Sequence, residues 1–95
     1  MRNYEAMYIV RPGFEDEKYA AVVEKFNAII EANGGEVVKT DLWGKRRLAY
    51  EIEKVREGYY VLVTFKAPAD LPAELERNFR IADDIMRYMV VRLPE

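Results

Sequence analysis

Apolar and polar positions follow two distinct patterns along the first third of the chain. Residues 2–10 alternate and are rich in Tyr, Ile and Val, which predicts a strand that ends at the Arg-Pro-Gly of residues 11–13. Apolar side chains at three- and four-residue spacing over residues 16–33 predict an amphipathic helix with acidic residues in its first turn. The Asn-Gly-Gly of residues 33–35 suits the C-terminal cap of this helix.

The middle of the chain predicts a β-hairpin. Residues 36–53 have the pattern of one long strand, which Gly44 interrupts at a bulge or bend. The Lys-Val-Arg-Glu-Gly of residues 54–58 predicts the turn, and residues 59–66 predict the returning strand. The hairpin therefore joins two strands that are both long enough to cross a small sheet.

The last third of the chain predicts a second helix and a final strand. Asp70 suits the N-cap, Pro72 is tolerated in the first turn, and the helix extends from Leu71 to about Ala82. Residues 85–92 predict the last strand. The order β-α-β-β-α-β predicts one α+β domain over residues 1–95, of the ferredoxin-like type. We expect a four-stranded antiparallel sheet with both helices on one face and the first and third strands in its centre.

Strand parity separates two apolar sets in this sheet. The better candidates for the helix-covered core are Tyr4, Ala6, Tyr8, Val10, Tyr59, Val61, Val63, Phe65, Tyr88 and Val90. The opposite set consists of Met7, Ile9, Tyr60, Leu62, Met89 and Val91. Because an uncovered antiparallel face is usually polar, this contiguous apolar set predicts a surface for a protein partner. The alternative is that β-propensity alone makes central strands apolar on both faces.

The composition removes most catalytic chemistry. The chain contains no Cys, no His and no Ser, which excludes disulfides, thiolate metal sites and Ser-His-Asp triads. Carboxylates and lysines remain, so composition alone leaves an enzyme possible. There is no apolar run of membrane-spanning length and no secretory signal pattern at the start. We expect a cytoplasmic protein with no cofactor, no metal and no membrane contact.

Charge is unevenly distributed along the chain. The net charge is −2, which is unusual for a nucleic-acid binder, yet residues 44–52 (Gly-Lys-Arg-Arg-Leu-Ala-Tyr-Glu-Ile) place three consecutive cations on a strand. Arginines suit the bidentate recognition of phosphate, so this stretch is a candidate RNA contact. The alternative is that the charges protect an edge strand against pairing with another sheet.

The same stretch carries a resemblance to a known family. The motif of residues 44–52, with its Arg-Arg-Leu-Ala-Tyr core, resembles the bacterial small-subunit ribosomal protein number six family. The likeness extends over essentially the whole chain, through residues 1–5, 58–60, 80–81 and 86–91.

The resemblance implies a non-enzymatic structural constituent of the small ribosomal subunit, with a role in subunit assembly and translation. It implies binding to the central domain of small-subunit ribosomal RNA, as a heterodimer with the small basic ribosomal protein number eighteen. The best RNA-contact candidates are Arg2, Arg46 and Arg47, followed by Arg80 and Arg87. The alternative for Arg2 is a charge on a disordered terminus, and for Arg80 and Arg87 it is a solvated or intramolecular ion pair, with Asp83 and Asp84 nearby. We expect the isolated protein to be a monomer.

Three other functions are compatible with the same element order. An RNA-recognition-motif-like module stacks single-stranded bases on its third strand, but residues 58–63 resemble that motif only loosely, and parity leaves mainly Tyr60 exposed. A small hydrolase would need a phosphate-cradling loop, and residues 11–14 (Arg-Pro-Gly-Phe) lack the amide that Pro12 removes. A ligand-sensing oligomer would pair its open faces, which the mass in solution tests.

Overall fold

Four strands and two helices make up the part of the chain that the computed structural model describes, residues 1–52 and 54–94. In chain order they are β1 (Arg2–Val10), α1 (Asp16–Ala32), β2 (Glu36–Ile52), β3 (Val55–Ala67), α2 (Leu71–Ile81) and β4 (Ile85–Arg92). The bounds of β1 and β4 confirm the predicted ones, and each helix ends one residue before its predicted end. Glu53, the predicted last residue of the long strand, lies outside the described residues.

The hairpin differs from the prediction in where its turn lies. Ile52 pairs with Val55, and Lys54 has a φ of 67°, so β3 begins at Val55 and the predicted turn at residues 54–58 is wrong. The polar residues after Lys54 belong to a strand that extends past the end of β1, and Arg56 and Glu57 are exposed there. Their polarity reflects this exposure, which a sequence pattern does not distinguish from a loop.

The strands form one antiparallel sheet in the order β2-β3-β1-β4, which confirms the predicted topology with β1 and β3 in the centre. The core between sheet and helices is formed by the predicted strand set together with apolar side chains of α1 and α2. At its centre the Tyr8 ring lies 5.3 Å from Phe26 of α1 and 4.9 Å from Phe79 of α2, measured between ring centroids. Burying each large side chain contributes about 1.5–3 kcal/mol, so these rings hold both helices on one face.

Of the two helix caps that the sequence predicts, the structure has the glycine cap at the end of α1 but no side-chain cap by Asp70 at the start of α2. Gly34 has a φ of 90° and its N–H donates to the Glu31 carbonyl at 3.2 Å, while the Gly35 N–H donates to the Ile30 carbonyl at 2.9 Å. These two bonds form the glycine cap that the sequence predicts. Asp70 occupies the N-cap of α2, but its side chain makes no cap hydrogen bond. Its backbone is already in the helical region, whereas a capping side chain needs extended backbone.

Candidate functional site on the open sheet face

The sheet face opposite the helices, here called the open face, has an aliphatic row across its middle. Met7 of β1 pairs with Leu62 of β3 on one side and with Met89 of β4 on the other. Paired residues share a face, so the three side chains lie next to one another. Met89 is 54% exposed, and Val91, which pairs with Glu5 in the next row, is 40% exposed. Met7 and Leu62 are half-buried, so the row is partly exposed to solvent, with Met89 as its most exposed member.

A second row lies nearer the β2–β3 hairpin and is aromatic and basic. Ile9 of β1 pairs with Tyr60 on β3 and with Arg87 on β4. Ile9 is only 3% exposed, although parity places it on the open face. Gly58 makes room for it, since a Cβ at that position would lie 2.3 Å from the Ile9 Cγ2 atom. The expectation that Ile9 is part of an accessible surface is therefore wrong, because the chain itself covers this residue.

The outer part of the β2–β3 hairpin covers the second row. An Arg87 N–H donates to the hydroxyl oxygen of Tyr50, and the Arg87 guanidinium lies 5.5 Å from the centre of the Tyr50 ring. Tyr50 belongs to β2 and Arg87 to β4, which are the two opposite edges of the sheet. The hairpin must therefore curl across β3 and β1. Leu48, on the same segment, is buried although it is outside the main core.

Between this hairpin and the sheet is a cavity of about 320 Å³. Its described lining consists of apolar and aromatic side chains apart from Arg87, and six that define it are Met7, Ile9, Tyr50, Tyr60, Arg87 and Met89. Pockets that bind small ligands have volumes of about 300–1,000 Å³, so this one has room for a small planar group. The sequence pattern did not predict the cavity, because one of its walls comes from the curled hairpin.

Trp43 is a residue of this face that strand parity missed. The register between β2 and β3 shifts between Leu42 and Gly44, so Trp43 is an extra residue in a bulge. Its ring is parallel to that of Tyr60, with an interplanar angle of 10° and 6.5 Å between centroids, and it is 47% exposed. The Arg46 guanidinium lies 6.0 Å from the Trp43 ring. The predicted bulge at Gly44 was the available signal, because a bulge changes which side chains share a face.

The structure brings together two of the five candidate arginines. Arg46 and Arg87 lie on the open face at the same end of the sheet, here called the arginine end, and Arg47 follows on the same exposed hairpin. Arg80 is exposed in the last turn of α2, on the helix side of the sheet. Arg2 starts β1, seven residues from the row of Arg87, which is roughly 23 Å along a strand. These five residues do not form a single cluster.

The acidic residues suggested as partners of Arg80 and Arg87 have other contacts. The Asp84 carboxylate lies 3.9 Å from the Lys18 ammonium group, and the backbone carbonyl of Asp83 accepts a hydrogen bond from Arg11 at 2.8 Å. Arg87 instead donates a hydrogen bond to the hydroxyl group of Tyr50, which is not an acidic residue. The guanidinium of Arg87 therefore keeps its positive charge available at the arginine end.

Residues 1–52 and 54–94 lack two features that would indicate a metal site or a membrane span. No group of three or more potential metal ligands occurs there. Neither helix in this part of the chain is long and apolar enough to cross a membrane.

Comparisons with known proteins find one family along nearly the whole chain. The profile of the family described as "Ribosomal protein S6" matches residues 3–92. The chain is 56% identical to the small ribosomal subunit protein bS6 of Desulforamulus reducens, over 97% of both chains. It is 53% identical to the bS6 protein of Moorella thermoacetica, over 100% of this chain and 97% of the relative.

Two solved structures have the same fold. The 30S ribosomal protein S6 of Thermotoga maritima is 34% identical and superposes with a TM-score of 0.92, over 97% of this chain and 87% of that chain. The P2 domain of the Thermotoga maritima chemotaxis kinase CheA superposes with a TM-score of 0.64, over 97% of this chain and 98% of that chain. At 20% identity this second likeness shows the fold alone.

Proposed function

The chain belongs to the ribosomal protein S6 family, and from this premise we propose that it binds the central domain of small-subunit ribosomal RNA. We propose further that it does so as a heterodimer with the small basic ribosomal protein number eighteen. Family membership makes the chain a non-enzymatic constituent of the small ribosomal subunit, within the ribonucleoprotein that carries out translation in the bacterial cytoplasm. The expectation of a non-enzymatic protein is confirmed by this membership.

One observation supports the partner above all others, the partly exposed aliphatic row of the open face. Leu62, Met7 and Met89 lie side by side. Exposed Val91 extends this apolar surface into the next row, where it pairs with Glu5. Exposed contiguous apolar surface favours a protein contact over a solvated face. The net charge of −2 favours a basic partner, because opposite net charges accelerate encounter.

The arginine end supports the RNA contact. Arg46, Arg47 and Arg87 are exposed there, and planar guanidinium groups match the geometry of phosphate oxygens. About three to five phosphate contacts would give a slope of log affinity against log salt of roughly −2 to −4. So few phosphate contacts give only weak binding of RNA by this chain alone. The basic partner therefore supplies the remaining positive charge.

A titration onto an RNA transcript of the central domain, with and without the basic partner, tests the proposal. We expect weak, salt-sensitive binding of the chain alone and at least a ten-fold gain when the partner is present. The control is a transcript of another domain of the same ribosomal RNA, to which the pair should bind weakly. Equally tight binding with and without the partner would contradict the heterodimer.

A further inference from the structure

We propose that the cavity at the arginine end of the open face binds one unpaired nucleobase of the RNA. This inference rests on the proposed function and adds to it a site, a ligand class and the residues that bind it. Tyr60 and Tyr50 provide the aromatic walls, and Met7 and Met89 form the apolar floor. The ligand is a planar aromatic base whose backbone phosphates remain at the rim.

Aromatic geometry is the first argument for this occupant. The Tyr60 ring is parallel to that of Trp43, and Tyr60 also lines the cavity. A base that enters beside Tyr60 extends this stack by one ring. Stacking of single-stranded bases on exposed aromatic side chains is the usual way in which a sheet binds RNA. Trp43 is the single tryptophan of the chain and is nearly half exposed, so part of its ring is accessible to a ligand at this end of the face.

Charge is the second argument, because it separates RNA from the basic protein partner. Arg87 lines the cavity, and Arg46 lies over the Trp43 ring at the same end of the face. Two guanidinium groups attract the phosphates on either side of an inserted base. They repel the lysines and arginines of a basic protein. The cavity therefore suits the RNA, and the aliphatic row around Leu62 and Val91 remains for the protein.

The position of the cavity supports this division of the face. Met7 and Met89 line the cavity and also belong to the aliphatic row. The base and the protein partner would therefore be neighbours that both contact these two methionines. The hairpin that forms this wall carries five basic residues between positions 45 and 58, Lys45, Arg46, Arg47, Lys54 and Arg56, against three acidic ones, and Arg56 is paired with Glu51 at 2.9 Å. An RNA strand entering the cavity would thus pass a hairpin of net positive charge.

Methyl NMR of the full chain with two short RNA probes tests the proposal. The first probe is hexa-adenylate and the second is the matching oligomer of six abasic ribose phosphates. Ring currents of an inserted base move nearby methyl signals, so hexa-adenylate should shift the Met7 and Met89 methyl groups saturably at low salt. The exposed Met1 methyl is an internal control and should not move. The abasic oligomer should leave all three signals in place and bind at least about five-fold more weakly.

Three variants locate the site. Tyr60→Leu keeps apolar volume but removes the stacking ring, and it should weaken hexa-adenylate binding at least about five-fold. Tyr50→Leu, at an exposed position, should weaken it in the same direction and serves if Tyr60→Leu is poorly folded. Val38→Ala, at an exposed position of β2 outside the cavity, is the matched control and should bind hexa-adenylate as the parent does. Circular dichroism and thermal unfolding check that each variant is folded.

The outcomes separate this inference from the proposed function. Equal shifts with both probes, or no shift of Met7 and Met89 with hexa-adenylate, would overturn the base site even if the chain still assembles with the partner on the central domain. If Tyr60→Leu abolished partner binding and spared RNA binding, the cavity would be a protein site and the inference would fail. Specific methyl shifts without assembly on the central domain would overturn the proposed function and leave the base site standing.

Discussion

At the scale of single residues, Tyr8 has the most unusual environment in the core. Its side chain is fully buried between Phe26 and Phe79, and its hydroxyl has no hydrogen-bond partner within residues 1–52 and 54–94. A buried polar group without a partner costs about 1–3 kcal/mol. We therefore predict that Tyr8→Phe keeps the fold and raises the free energy of unfolding by about 1 kcal/mol. Urea denaturation at neutral pH measures this, and a destabilised variant would show that the hydroxyl has a partner.

The same residue predicts a loss of stability at alkaline pH. Burial, with a smaller contribution from Tyr59, raises the pKa of Tyr8 well above its ordinary value. Above pH ~10 the unfolded chain releases this proton while the folded chain keeps it, so the unfolding free energy falls as pH rises. Below that pH the contribution of Tyr8 is constant. The free energy of unfolding should fall more steeply above pH ~10 in the parent than in Tyr8→Phe. Parallel pH profiles would contradict the prediction.

At the scale of elements, the close approach of β1 to β3 depends on Gly58. A methyl group at this position would lie 2.3 Å from the Ile9 Cγ2 atom, which is fixed because Ile9 is buried under the hairpin. We predict that Gly58→Ala lowers the unfolding free energy by about 1–3 kcal/mol through overpacking. Chemical denaturation measures the loss.

Ile9→Ala supplies the control for this contact. It removes the atom that the new methyl group would meet, so the double variant should lose less stability than the two single variants added together. If a double-mutant cycle shows this smaller loss of unfolding free energy, the new methyl group at position 58 clashes with the Ile9 side chain. Strict additivity would mean that the backbone, not Ile9, is responsible for the effect of Gly58→Ala.

The hairpin strand β2 raises a separate question, because it is an edge strand of the sheet. If Arg46 and Arg47 contact phosphate, replacing both with Ala should weaken assembly of the protein–partner–RNA complex and make the salt slope shallower by roughly 1–2. If they only protect the edge, the same change should cause self-association and leave the slope unchanged. Salt titrations of assembly together with analytical ultracentrifugation distinguish the two. Lys39→Ala, a control on β2 next to Asp41, should affect neither measurement.

At the scale of the whole molecule, the open face and the helix-covered face should respond differently to a buried charge. Met89 tests the open face better than half-buried Leu62, because its side chain is 54% exposed. We predict that Met89→Asp changes the stability of the isolated chain little and weakens partner binding by about 2–5 kcal/mol, since the new charge is desolvated in the heterodimer. Calorimetric titration with the partner measures this.

Val63 is the matched position on the covered face. It is fully buried among the core side chains, so Val63→Asp should unfold the isolated domain. Leu62→Asp should fall between Met89→Asp and Val63→Asp in its effect on stability. Unchanged partner binding in Met89→Asp would remove the aliphatic row from the interface and place the partner elsewhere on the molecule.

The sequence by itself determined the order of the elements, the bounds of β1 and β4, the topology of the sheet and the face of the apolar residues in β1 and in residues 59–66 of β3. These features depend on patterns within single elements, where alternation or helical spacing follows from backbone geometry. The motif of residues 44–52 also indicated the family that the comparisons then showed. Local patterns were therefore sufficient for the fold and the family.

Only the tertiary structure decided how the open face is divided. The contact between Tyr50 and Arg87 joins residues 37 positions apart and connects the two edge strands, which requires the hairpin to curl across the sheet. The curled hairpin buries Ile9 and forms one wall of the cavity. It comes after the bulge in β2 that places the Trp43 ring parallel to that of Tyr60. Bulges and strand twist accumulate along a long hairpin, so parity counted along the sequence no longer tells which side chains meet.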